Sequence, residues 1–209
     1  MAVERKSVRE GYDLWAPIYD EMENPVVEAD ARLAIPLLAP KHGERILDAG
    51  CGTGRNLVPI LGAGAVPVGL DFSLGMLAVA RRGCPSVPLI EADLQAPLPF
   101  RAGCFDAVLC ALIGEHLPEL AGTLAEFHRV LRPGGRLAFT VYHPDLAHAG
   151  VEANFEIGGT QYRLGAVLYK VEDYLRLISA TGFTSVTHTE SRDPARAHNL
   201  LLAIAGVRA

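Results

Sequence analysis

Apolar residues along this chain fall into short continuous runs, separated by stretches in which they recur every three or four positions. Five runs, 44–49, 66–70, 87–90, 105–111 and 136–141, read as strands buried on both faces of a parallel sheet. The intervening stretches predict helices. One runs over 25–38, opened by Asn24 as N-cap and Pro25 at its first position. Another follows a glycine-rich turn to about residue 61, and a third, over 73–82, is expected to stop at Gly83 in a left-handed conformation. Over 119–131, Leu120, Leu124, Phe127 and Leu131 share one helical face. Ahead of the first strand, Tyr12, Trp15 and Tyr19 recur at helical spacing, with Pro17 interrupting the helix. Residues 143–169 are longer than a plain connection, and 155–164 alternate around Gly158-Gly159, which signals a hairpin over the site. A last helix over 171–180 precedes strands at 184–189 and 199–204, joined by a turn at Arg192-Asp193-Pro194. Strands alternating with helices predict an α/β fold with a doubly wound, mostly parallel sheet.

One stretch carries the candidate chemistry. The run Ile46-Leu47-Asp48-Ala49-Gly50-Cys51-Gly52-Thr53-Gly54-Arg55-Asn56 places three alternating glycines where a strand turns into a helix. Glycine has no Cβ, so a ligand can lie directly on such a turn. A dinucleotide fingerprint, Gly-x-Gly-x-x-Gly, would need its last glycine where Arg55 stands. Asp71, at the end of the second strand, suits the ribose hydroxyls of a nucleotide-type ligand; the same carboxylate can instead cap a helix beside Ser73. Asp93, after the third strand, serves either a ligand or an Asx-turn. His116 and the pair His143 and Asp145 stand at carboxyl strand ends, where a doubly wound sheet binds its ligands, and each can equally shape a loop.

Composition narrows the class. The chain has 209 residues, 50% of them hydrophobic, and a formal net charge of −5, which suits a single domain over 1–209. Basic residues form no cluster, so a nucleic-acid partner is not expected. The four cysteines lack Cys-x-x-Cys spacing and read as core thiols in a reducing compartment. The N-terminus leads into no apolar signal region, and the apolar segment 200–207 is far shorter than the roughly 20 residues of a bilayer span, so a cytoplasmic protein without membrane insertion is expected.

The order Asp48-x-Gly50-x-Gly52-x-Gly54 resembles motif I of the class I S-adenosylmethionine-dependent methyltransferases. The segment Tyr12-Asp13-Leu14-Trp15-Ala16-Pro17-Ile18-Tyr19-Asp20 resembles the N-terminal part of the ubiquinone and menaquinone C-methyltransferases, and Val130-Leu131-Arg132-Pro133-Gly134-Gly135-Arg136-Leu137 is characteristic of the same group. The resemblance implies a Rossmann-like sheet of seven strands with one antiparallel edge strand, helices on both faces, and a helical lid over 1–40. It implies S-adenosylmethionine as cofactor and S-adenosylhomocysteine as product. The glycine loop, with Asp48, Gly50, Gly52, Gly54 and Asn56, would hold the methionine half, and Tyr12 and Tyr19 would lie near it. Asp71 would take the ribose, Phe72 and Met76 would pack near the adenosine, and Asp93 with the Leu94 backbone would hold the adenine. Ala111 would complete the cofactor wall.

The methyl acceptor expected is a small molecule, methylated on O, N or C by in-line displacement without a metal. His116 and His143 are the candidate bases, and Trp15, His116, His143 and Tyr162 the candidate acceptor contacts. A monomer or homodimer is expected. A non-catalytic adenosylmethionine-binding protein and an NAD-dependent oxidoreductase are the alternatives.

Overall fold

The strands that hold the site differ in which residues they send to each face of the sheet, and the helices are matched to that difference. In the computed structural model, which describes residues 2–192 and 199–209, the chain forms β1 (Ala2–Arg5), β2 (Arg45–Ala49), β3 (Val66–Asp71), β4 (Leu89–Glu91), β5 (Phe105–Ala111), β6 (Leu131–Tyr142), β7 (Asn154–Ile157), β8 (Thr160–Arg163), β9 (Phe183–Arg192) and β10 (Asn199–Arg208). Between them lie α1 (Val8–Trp15), α2 (Pro25–Leu38), α3 (Leu57–Gly62), α4 (Leu74–Gly83), α5 (Leu120–Val130), α6 (Pro144–His148) and α7 (Val171–Ala180). Seven strands make the main sheet in the order β4-β3-β2-β5-β6-β10-β9. Neighbours from β4 to β6 pair in parallel, whereas β10 runs antiparallel to both β6 and β9.

Side chains alternate across a strand. Leu47 of β2 and Val108 and Cys110 of β5 therefore join one core with Leu124 and Phe127 of α5 and Ile178 of α7. Ile46, Ala107 and Leu109 point the other way, onto Ala34 and Leu38 of α2 and Ile60 of α3. The chain moves outward from β2 to β4 and then returns to β5 on the other side of β2, so the carboxyl ends of β2 and β5 splay their loops apart. The Arg132–Gly135 phrase lies in a register shift: Phe105 pairs with Leu131 but Ala107 pairs with Arg136. The strand thus begins five residues earlier than the apolar run at 136.

Two details depart from the sequence-based expectations, and a third falls outside the described residues. Gly83 is the last residue of α4 and not a left-handed cap; Cys84, with φ −131°, takes the capping position. The turn proposed at Arg192-Asp193-Pro194 falls on residues of which 193 and 194 lie outside those described. The expected hairpin forms, β7 to β8 turning at Gly158 and Gly159 with φ of +59° and +78°, but it is joined by an unforeseen strand. That strand, β1, pairs in parallel with β8. Its four residues are all exposed and carry no apolar alternation, so nothing local announced it.

The N-terminal segment and the hairpin insertion consequently form one unit. Trp15 stacks on Phe155 with ring centroids 4.7 Å apart, and Arg5 meets Glu152 at 3.2 Å. The unit docks on the main domain through polar contacts. Asp13 Oδ1 accepts from the Ser73 hydroxyl at 2.6 Å and the Gly75 N–H at 2.9 Å, and Asp20 accepts from the Thr53 hydroxyl at 2.8 Å. Gly75 permits the approach: a Cβ there would stand 2.9 Å from the Asp13 carbonyl oxygen and 3.1 Å from its Cα.

Two of the buried carboxyls at the sheet's carboxyl edge keep oxygens without a hydrogen-bond partner among the described residues. Asp48, at the end of β2, is fully buried, and its oxygens meet no hydrogen-bond partner among the described residues. Burial outweighs the nearby Arg55 and raises its pKa to about 7. Glu115, in the 3-10 turn after β5, is likewise pushed up to about 8 by burial.

Gly75→Ala is expected to push α1 off α4, at a cost of about 1–3 kcal/mol. Trp15, 5% exposed, then shifts its emission to the red and the N-terminal segment is cut first in limited proteolysis; an unchanged emission maximum would contradict this docking. A second expectation concerns pH. Asp48 and Glu115 hold protons in the folded state that the unfolded chain releases near its ordinary values of 3.8 and 4.5. The folded state binds more protons above those values, so stability falls as pH rises through about 7–8. Asp48→Asn removes its share. Urea unfolding at about pH 5 and about pH 8 should show a smaller loss in the variant than in the unmodified protein.

Candidate active site

A cavity of about 340 Å³ opens over the carboxyl ends of β2, β3 and β5, with Val8, Tyr12 and Tyr19 of the N-terminal segment in its wall. The glycine loop forms its floor. The N–H groups of Gly50 and Cys51 both donate to the Leu70 carbonyl, at 2.7 and 2.9 Å, which folds the loop back onto β3. Gly50 adopts φ +81°, and a Cβ there would stand 2.6 Å from the Ile113 side chain. Gly52 donates its N–H to Asp71 Oδ2 at 2.8 Å, and a Cβ on it would meet nothing within 4 Å, so this face of the loop is open. Gly54 has a different task. Its Cβ would stand 3.3 Å from that of Ala80, so it lets the loop pack on α4, and it does not line the cavity.

Asp71 orders the start of α4 and also faces the cavity. Its Oδ1 accepts from the Ser73 N–H at 2.9 Å while Ser73 Oγ caps α4 by accepting from the Met76 N–H at 3.1 Å. The same carboxylate lines the cavity. Burial raises its pKa, opposed by the backbone donors of Ser73 and Gly52. Asp93 also combines roles, since Oδ1 accepts from the Gln95 N–H at 2.9 Å in an Asx-turn and the residue faces the cavity. Phe72, Met76, Leu94, Asn56 and Ala111 complete this wall as expected from the sequence.

At the exit of β5 the backbone is strained: Leu112 holds φ +58°, an uncommon conformation for a residue with a Cβ, and lines the cavity. The 3-10 turn that follows (Gly114–His116) aims His116 at the N-terminal segment. His116 Nε2 and Tyr12 Oη are 3.0 Å apart, with the rings edge-on. Burial lowers the His116 pKa to about 4 and raises that of Tyr12 well above 10, so both are neutral at physiological pH.

Other expected site residues stand elsewhere. His143, 2% exposed, caps α6 by accepting from the Asp145 N–H at Nδ1, and it does not reach the cavity. Trp15 and Tyr162 pack on Phe155, in the small core that binds the N-terminal segment to the hairpin. Asp48 lies beneath the loop rather than in the wall. Conversely, the wall includes Val8, Cys51, Thr53, Arg55, Ala92, Gln95, Ile113, Leu117 and Pro118, which the sequence reading passed over. For Ile113, Leu117 and Pro118 the signal was available, since they flank His116 at a strand exit. For Arg55 it was not. Its guanidinium is held 2.7 Å from the buried Asp30 of α2, which also accepts from the Thr140 hydroxyl, and no local spacing couples those three positions.

Among the described residues no group of three or more His, Cys, Asp or Glu is placed to hold a metal ion, and no helix is long and apolar enough to cross a membrane.

Comparison with known proteins agrees with this geometry. A family model described as a methyltransferase domain matches residues 47–139, from β2 through most of β6. A demethylmenaquinone methyltransferase of Renibacterium salmoninarum is 38% identical over 139 residues, covering 64% of this chain and 58% of the relative. Aklanonic acid methyltransferase DauC of a Streptomyces species is 29% identical over 213 residues, covering 90% of this chain and 96% of the relative. The alignments with the demethylmenaquinone enzymes span 42% to 59% of those relatives' lengths. A solved S-adenosylmethionine-dependent methyltransferase from Mesorhizobium loti shares the fold, with a TM-score of 0.69 at 23% identity over 88% of this chain and 99% of that one. With a glycine loop, a switch-point cavity and a matching domain that coincide, residues 47–139 form a methyltransferase domain, and the chain as a whole is similar to the methyltransferases named above.

Proposed function

We propose that this protein transfers the methyl group of S-adenosylmethionine to a small-molecule acceptor by in-line displacement, releasing S-adenosylhomocysteine. The observation that carries this reading is the single cavity wall shared by Gly50, Gly52, Asp71, Phe72, Met76 and Asp93. These residues fit the cofactor chemically. The open face of Gly52 can receive the methionine backbone, the Asp71 carboxylate retains lone pairs for two ribose hydroxyls, and Asp93 offers an acceptor to an exocyclic amine. The cofactor supplies a methyl group already activated on a sulfonium, so the chain's work is to bind, orient and exclude water. Alignment of nucleophile, methyl and leaving sulfur removes on the order of 7–11 kcal/mol of barrier in favourable cases. His116, neutral and in the wall, is the base we assign, and His143, capping α6, is not. Residues 1–40 and 143–169 act together as the lid, which is supported by their shared sheet and aromatic core.

Calorimetric titration with S-adenosylmethionine, S-adenosylhomocysteine and NAD tests the reading. Binding of the first two without NAD is expected; binding of NAD alone would favour an oxidoreductase, and cofactor binding without transfer to any acceptor would favour a sensor. Asp71→Ala removes hydrogen bonds to a charged group worth about 1.5–3 kcal/mol each, so the affinity for S-adenosylmethionine should fall about 10- to 150-fold for each ribose hydroxyl that loses its acceptor. Undiminished affinity in that variant would mean that the ribose lies elsewhere.

A further inference from the structure

Two side chains from distant parts of the chain meet at one end of the cavity. Tyr12 arrives on α1 and His116 on the 3-10 turn after β5, with Oη and Nε2 3.0 Å apart. The wall also carries the apolar Val8, Ile113, Leu117 and Pro118, and Tyr19 lies beside Tyr12 with ring centroids 6.2 Å apart. Arg55, also in the wall, spends its Nη2 on Asp30 at 2.7 Å and keeps Nη1 without a partner among the described residues, whereas Arg9 lies 3.4 Å from Glu91 and 3.8 Å from Asp93. The hydroxyl and the imidazole thus face each other, and no charged side chain hydrogen-bonds to either among the described residues.

Resting on the methyl-transfer reading, we infer that Tyr12 is a catalytic residue that works with His116 as one proton relay, and that the acceptor is a neutral hydroxyl on an apolar body, of the phenol or enol kind. In the tautomer with its hydrogen on Nδ1, His116 accepts the Tyr12 hydroxyl at Nε2, which leaves the Tyr12 oxygen to accept from the acceptor's O–H. As the acceptor oxygen bonds to the methyl carbon, the carbon–sulfur bond breaks and its electron pair stays on sulfur. The acceptor's proton passes to Tyr12 Oη while the Tyr12 proton passes to His116 Nε2, so the products are a methyl ether, a neutral thioether and an imidazolium that later releases its proton to water.

Other acceptors fit less well. An oxygen that has gained a methyl group before losing its proton is a strong acid, so even an imidazole with a pKa near 4 suffices to take the proton. An ammonium acceptor must lose its proton before it can attack, and that base is too weak to remove it. A carboxylate acceptor carries no proton to remove and would leave the relay idle.

The test pairs three probes with four proteins. A naphthol, the matching naphthoate and the matching naphthylmethylamine, an ammonium at neutral pH, are each offered with S-adenosylmethionine to the unmodified protein, Tyr12→Phe, His116→Ala and the double variant, with thermal melts to confirm folding and calorimetry for cofactor affinity. Formation of the naphthyl methyl ether is expected, with kcat lowered about 10²–10⁴-fold in each single variant. The double variant should be no slower than the slower single one, and cofactor affinity should stay within about twofold throughout. A rate in Tyr12→Phe equal to that of the unmodified protein, additive losses, or loss of cofactor affinity in that variant would overturn the relay. Methylation of the amine, the carboxylate or a ring carbon in preference to the hydroxyl, or of none of the probes, would overturn the acceptor class. Failure of the unmodified protein to bind S-adenosylmethionine would instead remove the methyl-transfer reading beneath both.

Discussion

The site depends on one small set of hydrogen bonds that ties the glycine loop to the end of β3. Gly50 and Cys51 donate to the Leu70 carbonyl, and Gly52 donates to the Asp71 carboxylate. A loop that turns from strand to helix leaves several N–H groups pointing outward, and buried donors without partners are costly. Here the next strand supplies the acceptors, so loop and strand end define each other's position. Asp71 then passes the constraint on: its other oxygen orders Ser73, Ser73 starts α4, and both Ser73 and Gly75 of α4 receive Asp13 from the N-terminal segment. A single carboxylate thus links the floor, one wall and, through Asp13, the segment that covers the cavity.

Much of the main domain was legible because its signals are local. Helix α2 begins and ends where Asn24, Pro25 and the apolar spacing place it, and β5 spans the apolar run 105–111. The cavity wall was legible for a related reason: a doubly wound sheet opens its crevice at strand ends, and Asp71, Asp93, Ala111 and His116 line the cavity from such ends. Where reading failed, the deciding contact was remote. Trp15 and Tyr162 looked like acceptor contacts because aromatic rings near a cavity are ambiguous until their partners are known, and both partner Phe155. His143 stands at the carboxyl end of β6 as His116 stands near that of β5, but β6 lies farther from the switch point and its exit turns at once into α6. The strand β1 could not be read at all, since its pairing partner β8 is remote in sequence and its own four residues are exposed.

The glycine spacing also acquires a physical meaning. Three alternating glycines look equivalent in the sequence, yet they answer to three different neighbours. Gly50 gives way to Ile113, Gly52 faces open space, and Gly54 gives way to Ala80 of α4. The third position is therefore a requirement of helix packing, and the two glycines that line the cavity are the first and the second.

The parallel pairing of β1 with β8 has a consequence for how the molecule comes together. Ala2 and Thr160 are register partners, so this pairing closes about three quarters of the chain into a loop, and a contact between such distant positions is favourable only once the sheet strands between them have formed. The sheet can assemble from neighbouring units, whereas the cover over its carboxyl edge must wait for the N-terminal segment to meet the hairpin. Hydrogen exchange should then find two cooperative units, with the small sheet protected less than the large one. The protein would complete its scaffold first and enclose its chemistry last.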